Sequence, residues 1–213
     1  MVKVYGWMGA ALVLTGLMAA YTASSEYLLE MLFSSRLTFY ALILLEFGAV
    51  AFITSMINRI TASTATILFI AYALLNGLTF SVIFLVYTAE SISSTFFVTA
   101  GTFGFMSIYG YMTKTDLTKL GNILFMALIG LIIASLVNFF MKSEMLYWIT
   151  TCAGVLIFTG LTAYDTQKVK NMKTIGTEGT DLERKESILG ALTLYLDFIN
   201  LFLYLLRLFG RRK

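Results

Sequence analysis

The sequence predicts an all-α membrane protein with seven transmembrane helices, six of them wrapped around the last. Of the 213 residues, 59% are hydrophobic and only 13% are charged, whereas a soluble domain averages about 45–50% apolar and about 25% charged residues. Seven apolar segments approach or exceed the roughly 20 residues that a helix needs to cross a bilayer. The seventh carries Asp197 near its middle. Because a carboxylate is costly against lipid, we expect the other helices to enclose this one.

The connections between these segments are short and polar, so consecutive helices are expected to run antiparallel within one domain, residues 1–213. One connection is long and charged, from Lys170 to Ser187. The predicted spans are Val4–Ala23, Phe39–Ile57, Ile67–Tyr87, Phe96–Met112, Ile123–Phe140, Leu146–Val169 and Ile188–Phe209.

The distribution of Lys and Arg predicts a cytosolic N-terminus, because cations concentrate in cytoplasmic loops. In that orientation only Arg36 and Lys142 lie in outer loops, while the C-terminal residues 211–213 lie outside. The alternative of six spans with a re-entrant last segment would place that basic tail inside. We favour seven, because the last segment is as long and apolar as the others. The inner cations are Lys3, Arg59, Lys114, Lys119, Lys168, Lys170, Lys173, Arg184 and Lys185.

Composition removes several function classes. The chain has no His, which excludes His-based metal sites, Ser-His and Cys-His hydrolases and the usual titrating group near neutral pH. A lone cysteine, Cys152, excludes an internal disulfide and has no metal-site spacing. With a net charge of +3 and no soluble basic domain, nucleic-acid binding is not expected. We expect no enzyme activity and no cofactor, and any pH response must come chiefly from carboxylates.

Two aspartates on neighbouring predicted helices are the candidate site. Thr193 and Asn200 lie on the Asp197 face of the last helix, and Thr162 lies on the Asp165 face of the helix before it. Like charges in a poorly solvated site do not both ionise cheaply, so the two carboxyl groups would titrate as a pair. The alternatives are a buried polar residue that only fixes helix packing, for Asp197, and an interfacial residue paired with Lys168, for Asp165.

Two further charged groups belong to the second predicted span. Glu46 lies about seven residues into it and is a candidate lining residue of a polar pathway, while Arg59 ends it on the cytosolic side. Arg59 is either an inside-positive anchor or a counter-ion that clamps an aspartate. Glycines at helical spacing also predict close backbone contacts between helices; these are Gly6, Gly9, Gly101, Gly104, Gly154 and Gly160.

The segments YDTQKVK and LTLYLDFINLFLYLLRLFG resemble the last two membrane helices of the Bax-inhibitor family, the transmembrane Bax inhibitor motif proteins, and VYGWMGAALVLTG resembles the first helix of its prokaryotic members. The resemblance covers essentially the whole chain. It implies seven helices around a central last one and, for prokaryotic members, a pH-sensitive calcium leak. It also implies that Asp165 and Asp197 form the family's aspartate pair, that Glu46 is the acid of its second helix, and that Arg59 is the arginine linked to the pair.

From these observations we expect a calcium-permeable leak channel in which Asp165 and Asp197 bind the passing ion and, with Arg59, gate it with pH. The alternative is a regulatory protein that modulates a membrane protease or a cell-death pathway without conducting ions. An intramembrane aspartyl protease is disfavoured, because YDTQ and YLDF lack a Gly beside the Asp. The expected partners are calcium, protons and the lipid bilayer, with a possible membrane-protein partner, a monomer being favoured. The expected location is a prokaryotic inner membrane.

Overall fold

The computed structural model describes residues 1–33, 35–172 and 180–213, and every regular element in these ranges is a helix. Seven of the helices are long and apolar enough to cross a membrane, as predicted. The eight described helices are α1 (Val2–Ser24), α2 (Glu26–Phe33), α3 (Arg36–Met56), α4 (Ala62–Val86), α5 (Ala89–Met112), α6 (Thr118–Met141), α7 (Glu144–Lys170) and α8 (Asp181–Phe209).

Polar side chains define where several of these helices begin. Ser35, Thr61 and Ser143 precede α3, α4 and α7, and each side chain accepts a hydrogen bond from a backbone N–H of the first turn. Such caps satisfy amide groups that have no partner inside the helix. Three of the apolar spans therefore begin at a capping residue.

Two predictions about the connections are wrong. The stretch between the first two spans contains the short helix α2, with exposed Glu26 and Glu30. The long loop does not extend to Ser187, because α8 begins at Asp181. Contacts of the charged first turn explain this early start: Lys3 forms a 2.8 Å ion pair with the buried Glu183. The predicted inner cation Lys173, with the rest of 173–179, lies outside the described residues.

The first of two compact units contains residues 1–88, 172–195 and 212–213. In it, α4 packs against α1 and α3, and the fully buried Tyr195 of α8 lies among aromatic rings of α4. The hydroxyl of Thr15 donates to the carbonyl oxygen of Ala73 at 2.9 Å and lies 2.8 Å from the Tyr195 hydroxyl. Since the single Thr15 proton is used, Tyr195 donates to Thr15. This relay joins one residue of α8, one of α1 and one of α4.

Contacts at both ends of α4 show that α8 runs parallel to it. At the start, the backbone N–H of Ala62 donates to the Asp181 carboxylate at 3.2 Å. At the far end, the backbone N–H of Lys213 donates to Val86 at 2.9 Å and its side chain to Phe84 at 2.7 Å. A re-entrant segment would return to its starting face, so this arrangement favours the seventh span.

The second unit contains residues 89–171 and 196–211, in which α7 packs against α5 and α6. Glycines allow close approach here. A Cβ at Gly110 of α5 would overlap the backbone carbonyl of Ala163, and a Cβ at Gly121 of α6 would lie 2.5 Å from the Tyr164 ring. Helix α7 is therefore held directly against both neighbours with no side chain intervening on their side.

The glycine predictions are only partly confirmed. A Cβ at Gly154 would meet the Tyr204 ring and one at Gly160 would lie 2.6 Å from the Leu124 side chain, so these two are closely packed, against side chains rather than against a backbone. The other four, namely Gly6, Gly9, Gly101 and Gly104, have no neighbouring described atom within 4 Å of such a Cβ. For them the prediction is wrong, because helical spacing does not tell a packed face from a lipid-facing one.

Helix α8 is the most enclosed of the seven long helices. In its most apolar 18-residue window 67% of the residues are buried, against 6% in α3 and α6. Its first part belongs to the first unit and its second part to the second. That six helices surround α8 stays a prediction.

Candidate functional site

The second unit brings together the two predicted aspartates. Asp165 lies in the last two turns of α7 and is 9% exposed, while Asp197 lies near the middle of α8 and is 5% exposed. Their carboxyl groups lie close enough to act on each other. The two predicted acids therefore lie close together in one buried location, and their role as a site stays a prediction.

The bonding around Asp197 constrains its charge. In the part of the chain that the structure describes, Oδ2 of Asp197 has no N–H or O–H donor. Two ionised carboxylates only accept hydrogen bonds, so a bond between Asp165 and Asp197 requires a proton on one of them. A hydrogen bond between the two carboxyl groups would thus contain one shared proton, and loss of that proton would leave two adjacent negative charges.

Lys168 is the cation whose charge acts on both carboxyl groups. It follows Asp165 by three residues on α7, which places the two side chains on neighbouring positions of the helix surface. Its side chain is exposed and lies 5.9 Å from the centre of the Tyr164 ring. Because it reaches water, Lys168 moderates the repulsion between ionised carboxylates without neutralising the pair.

Aromatic side chains near Asp197 in the sequence of α8 pack against α5 and α7. Phe198, next to Asp197 in sequence, packs against Phe96 and Phe103 of α5, each with ring centres 5.4 Å apart. One turn beyond Asn200 on α8, Tyr204 stacks on Phe158 of α7 at 5.7 Å. These ring contacts hold the second part of α8 against α5 and α7.

The α7 residues that follow Asp165 contact the turn between α5 and α6. The side-chain amide of Gln167 accepts a hydrogen bond from the backbone N–H of Leu117 at 2.9 Å and donates to the carbonyl of Thr115 at 2.8 Å. Within that turn, Asp116 accepts hydrogen bonds from the hydroxyl and backbone N–H of Thr118 at 2.6 and 2.9 Å. These bonds hold the pKa of Asp116 below its usual value.

Glu46 lies in the first unit, where Thr79 of α4 donates a hydrogen bond to its carboxylate. Arg59 belongs to the same unit, in the turn after α3, and its side chain is exposed. Ion pairs among the described residues include Lys3–Glu183 and Lys185–Asp181. The clamp role of Arg59 stays a prediction.

The predicted pathway residues on α7 and α8 bond to their own helices. Thr162 donates to Phe158 at 2.7 Å, Thr193 to Leu189 at 3.0 Å and Asn200 to Leu196 at 2.8 Å, each through a backbone carbonyl. Local bonds of this kind satisfy a polar side chain inside a membrane. Their role as pathway residues stays a prediction.

Sequence reasoning missed Gln167 and the Thr15–Tyr195 relay. Gln167 is part of the YDTQ motif, and a polar residue two positions after a buried Asp was the available signal. Thr15 and Tyr195 gave no such signal, because single Thr and Tyr residues are common in membrane helices and their partners are distant in sequence.

The carboxylate oxygens of Asp165 and Asp197 are too few to bind a cation tightly by themselves. No cluster of three or more Asp, Glu, His or Cys side chains occurs within residues 1–33, 35–172 and 180–213, so the aspartate pair provides at most four carboxylate oxygens. Calcium takes six to eight oxygen ligands. Water and backbone carbonyls would have to complete its shell, which favours transient over tight binding.

Comparisons with known proteins show which family the chain belongs to. The inner membrane protein YbhL of Escherichia coli K12 is 57% identical over 214 aligned residues that cover the whole chain and 92% of YbhL. A protein of Borreliella burgdorferi is 47% identical, covering 99% of this chain and 91% of its own length, and one of Rickettsia prowazekii is 46% identical, covering 100% and 89%.

The sequence model of one family, described as "Inhibitor of apoptosis-promoting Bax1", matches residues 1–213. The predicted resemblance is thereby confirmed over the full length of the chain. Together with its seven apolar helices, the match identifies the chain as an integral, multi-pass membrane protein of the Bax inhibitor family.

Proposed function

We propose that this protein is a calcium-permeable leak channel whose conduction is controlled by protonation of the Asp165–Asp197 pair. The observation that carries the proposal is the proximity of two buried carboxyl groups on α7 and α8, close enough to interact. An acidic side chain is costly in apolar surroundings, so two acids placed together there favour a functional role.

The pair has two states with different mechanical consequences. With one proton, the carboxyl groups share a hydrogen bond that holds α7 and α8 together. Without it, two negative charges repel each other and attract a divalent cation. Because the groups interact strongly, their protons leave in two macroscopic steps that belong to the pair. Lys168 moderates the charge without closing the site.

The remaining elements of the proposal concern the route and the orientation. Glu46, held by Thr79, is a candidate lining residue in the first unit, and Arg59 is a candidate counter-ion. We propose a bacterial inner membrane location with a cytosolic N-terminus, from the Lys and Arg distribution. Reporter fusions at Val2 and after Ser24 test the orientation, and a periplasmic signal at Val2 would reverse it.

Calcium entry into liposomes containing only the purified protein tests the proposed function. We expect flux that changes steeply with pH, and we expect Asp165→Asn and Asp197→Asn each to flatten that dependence, because one carboxylate lacks its like-charged partner. Glu26→Gln, at an exposed carboxylate of α2, is the matched control and should keep the wild-type profile.

Two outcomes would overturn the proposal. If both Asn variants keep the full pH response, the pair is not the gate and the acids serve helix packing. If the purified wild-type protein conducts no calcium at any pH, the chain does not form the channel alone, and the regulatory alternative takes its place.

A further inference from the structure

We propose that Gln167 is a positioning residue for Asp165: it fixes the rotation of α7 against the α5–α6 turn so that the Asp165 carboxyl group faces Asp197. The inference deepens the proposed function, on which it rests. It is carried by the contacts of five consecutive α7 residues, Ala163 to Gln167, all within the second unit.

One face of this segment rests on α5. A Cβ at Gly110 would overlap the carbonyl of Ala163, so the two backbones touch. Three residues further along α7, the Thr166 hydroxyl lies 3.4 Å from that of Ser107. Positions three apart share a helix face, and Ser107 and Gly110 are likewise three apart. This face sets the distance between α7 and α5.

A second face rests on α6 and on the turn before it. The Tyr164 ring covers Gly121, and Gln167, three residues on, binds Leu117 and Thr115 through both ends of its amide. Asp165 is left on the remaining face, toward α8. Its position in the segment is therefore determined by what its neighbours on either side contact.

The hydrogen bonds of Gln167 are more directional than the other contacts of the segment. The glycine contacts limit how closely the helices approach, but a smooth backbone surface permits rotation and sliding. The Gln167 amide instead makes two hydrogen bonds with fixed geometry to backbone atoms of a turn. Successive residues are about 100° apart around a helix, so a small rotation of α7 moves the Asp165 carboxyl group away from Asp197.

The charged groups that act on Asp165 are few. They are Lys168 on its own helix and Asp197 on α8. The α5 and α6 residues named above against the segment, Ser107, Gly110 and Gly121, are uncharged. The charged Asp116 of the α5–α6 turn is bonded to Thr118 and is not among the charged groups that act on Asp165. A change in the titration of the pair after substitution of Gln167 would therefore report geometry rather than the loss of a nearby charge.

The test is Gln167→Met, which keeps the side-chain length and removes both hydrogen bonds. Its matched control is Thr159→Val, which removes a hydroxyl on α7 that bonds only to Val155 of the same helix. The readout is the infrared carbonyl stretch of protonated carboxyl groups, followed across pH in the reconstituted protein and assigned by its loss in Asp165→Asn. Calcium flux across pH is recorded in parallel.

In Gln167→Met we expect the two proton-release steps to move closer together, by at least about half a pH unit, because separated carboxyl groups titrate more independently. Thr159→Val should match wild type. An unchanged titration in Gln167→Met would overturn the positioning role, whatever the calcium flux shows. A changed titration in a protein that conducts no calcium would support the positioning role and would contradict only the proposed channel function. If Gln167→Met does not fold, Gln167→Asn retains an amide too short to reach both partners, and the same two outcomes apply to it.

Discussion

Substitution of Gly110 by Ala provides a direct test of the backbone contact between α5 and α7. The added methyl group would lie 2.9 Å from the Cα and carbonyl carbon of Ala163, and closer still to the carbonyl oxygen. Ordinary contact begins at 3.4 Å, so the helices must separate by about 0.5 Å or more. Because the obstructing atoms are backbone, no change of rotamer can relieve the overlap.

The expected magnitude follows from two opposing effects. Overfilling a packed interface costs typically about 1–3 kcal/mol, while replacing Gly by Ala inside a helix contributes roughly 0.5–1 kcal/mol of stability. We therefore expect a net loss of up to about 2.5 kcal/mol for Gly110→Ala. For a chain of this size this lowers the midpoint of thermal unfolding by up to roughly 10 °C.

Gly104→Ala is the matched control on the same helix. No neighbouring described atom lies within 4 Å of a Cβ there, so only the helix-propensity gain applies and the midpoint should stay or rise slightly. Intrinsic fluorescence of Trp7 and Trp148 during heating in one detergent provides the assay. If Gly110→Ala unfolds at the same temperature as Gly104→Ala, α5 and α7 are not in backbone contact.

Three further predictions concern single contacts. Thr15→Val should lower the free energy of unfolding by about 1–3 kcal/mol, because it leaves the buried Tyr195 hydroxyl without an acceptor. Tyr195→Phe should lower it by about 1 kcal/mol or less. Chemical unfolding in mixed micelles measures both values, and equal losses would contradict the relay. The pKa of Asp116 is lowered in the folded protein, so the stabilisation that its carboxylate gives to the start of α6 is present above the unfolded pKa and is lost as the pH falls through the folded pKa. Hydrogen exchange of the Thr118 amide should therefore accelerate at acid pH relative to neighbouring amides. Asp116→Ala should remove that difference. Lys213→Met should expose the end of α4 to faster hydrogen exchange by removing one side-chain bond to a carbonyl; protection equal to wild type would show that this bond contributes nothing.

The transmembrane helices could be predicted from the sequence because bilayer thickness imposes a length on every span. The polar helical turns that extend beyond the apolar spans could not be predicted. The first turns of α8 are rich in charge, and charged stretches between spans ordinarily form loops. Their helical state follows from tertiary contacts, with Asp181 bonded to the start of α4 and Glu183 paired with Lys3.

Packing faces were equally difficult to predict. In a soluble helix the polar face marks the outside, but lipid-facing and protein-facing residues of a membrane helix are both apolar. Spacing therefore suggested Gly101 and Gly104, which are open, and passed over Gly77, Gly110 and Gly121, where neighbouring helices touch. A single glycine at the right level contributes more to packing than a regular repeat of them.

The aspartate pair could be predicted because intramembrane acids are rare and costly. What holds Asp165 in place could not be predicted, since the partners of Gln167 lie about 50 residues earlier in the chain, in a turn. Local sequence identifies which groups are chemically unusual, but the groups that orient them depend on which elements the fold brings together.

The contact between α1 and α4 links two positions whose substitutions should not be additive. A Cβ at Gly77 would lie 2.6 Å from the Cβ of Met18 and 2.8 Å from the carbonyl oxygen of Thr15, at the level where the Thr15 hydroxyl bonds to Ala73. A methyl group at position 77 would push α1 away and break that bond as well. In a double-mutant cycle, Gly77→Ala with Thr15→Val should therefore cost less than the two single changes combined. Natural variation should follow the same rule: a relative that has lost the glycine has little reason to keep the hydroxyl.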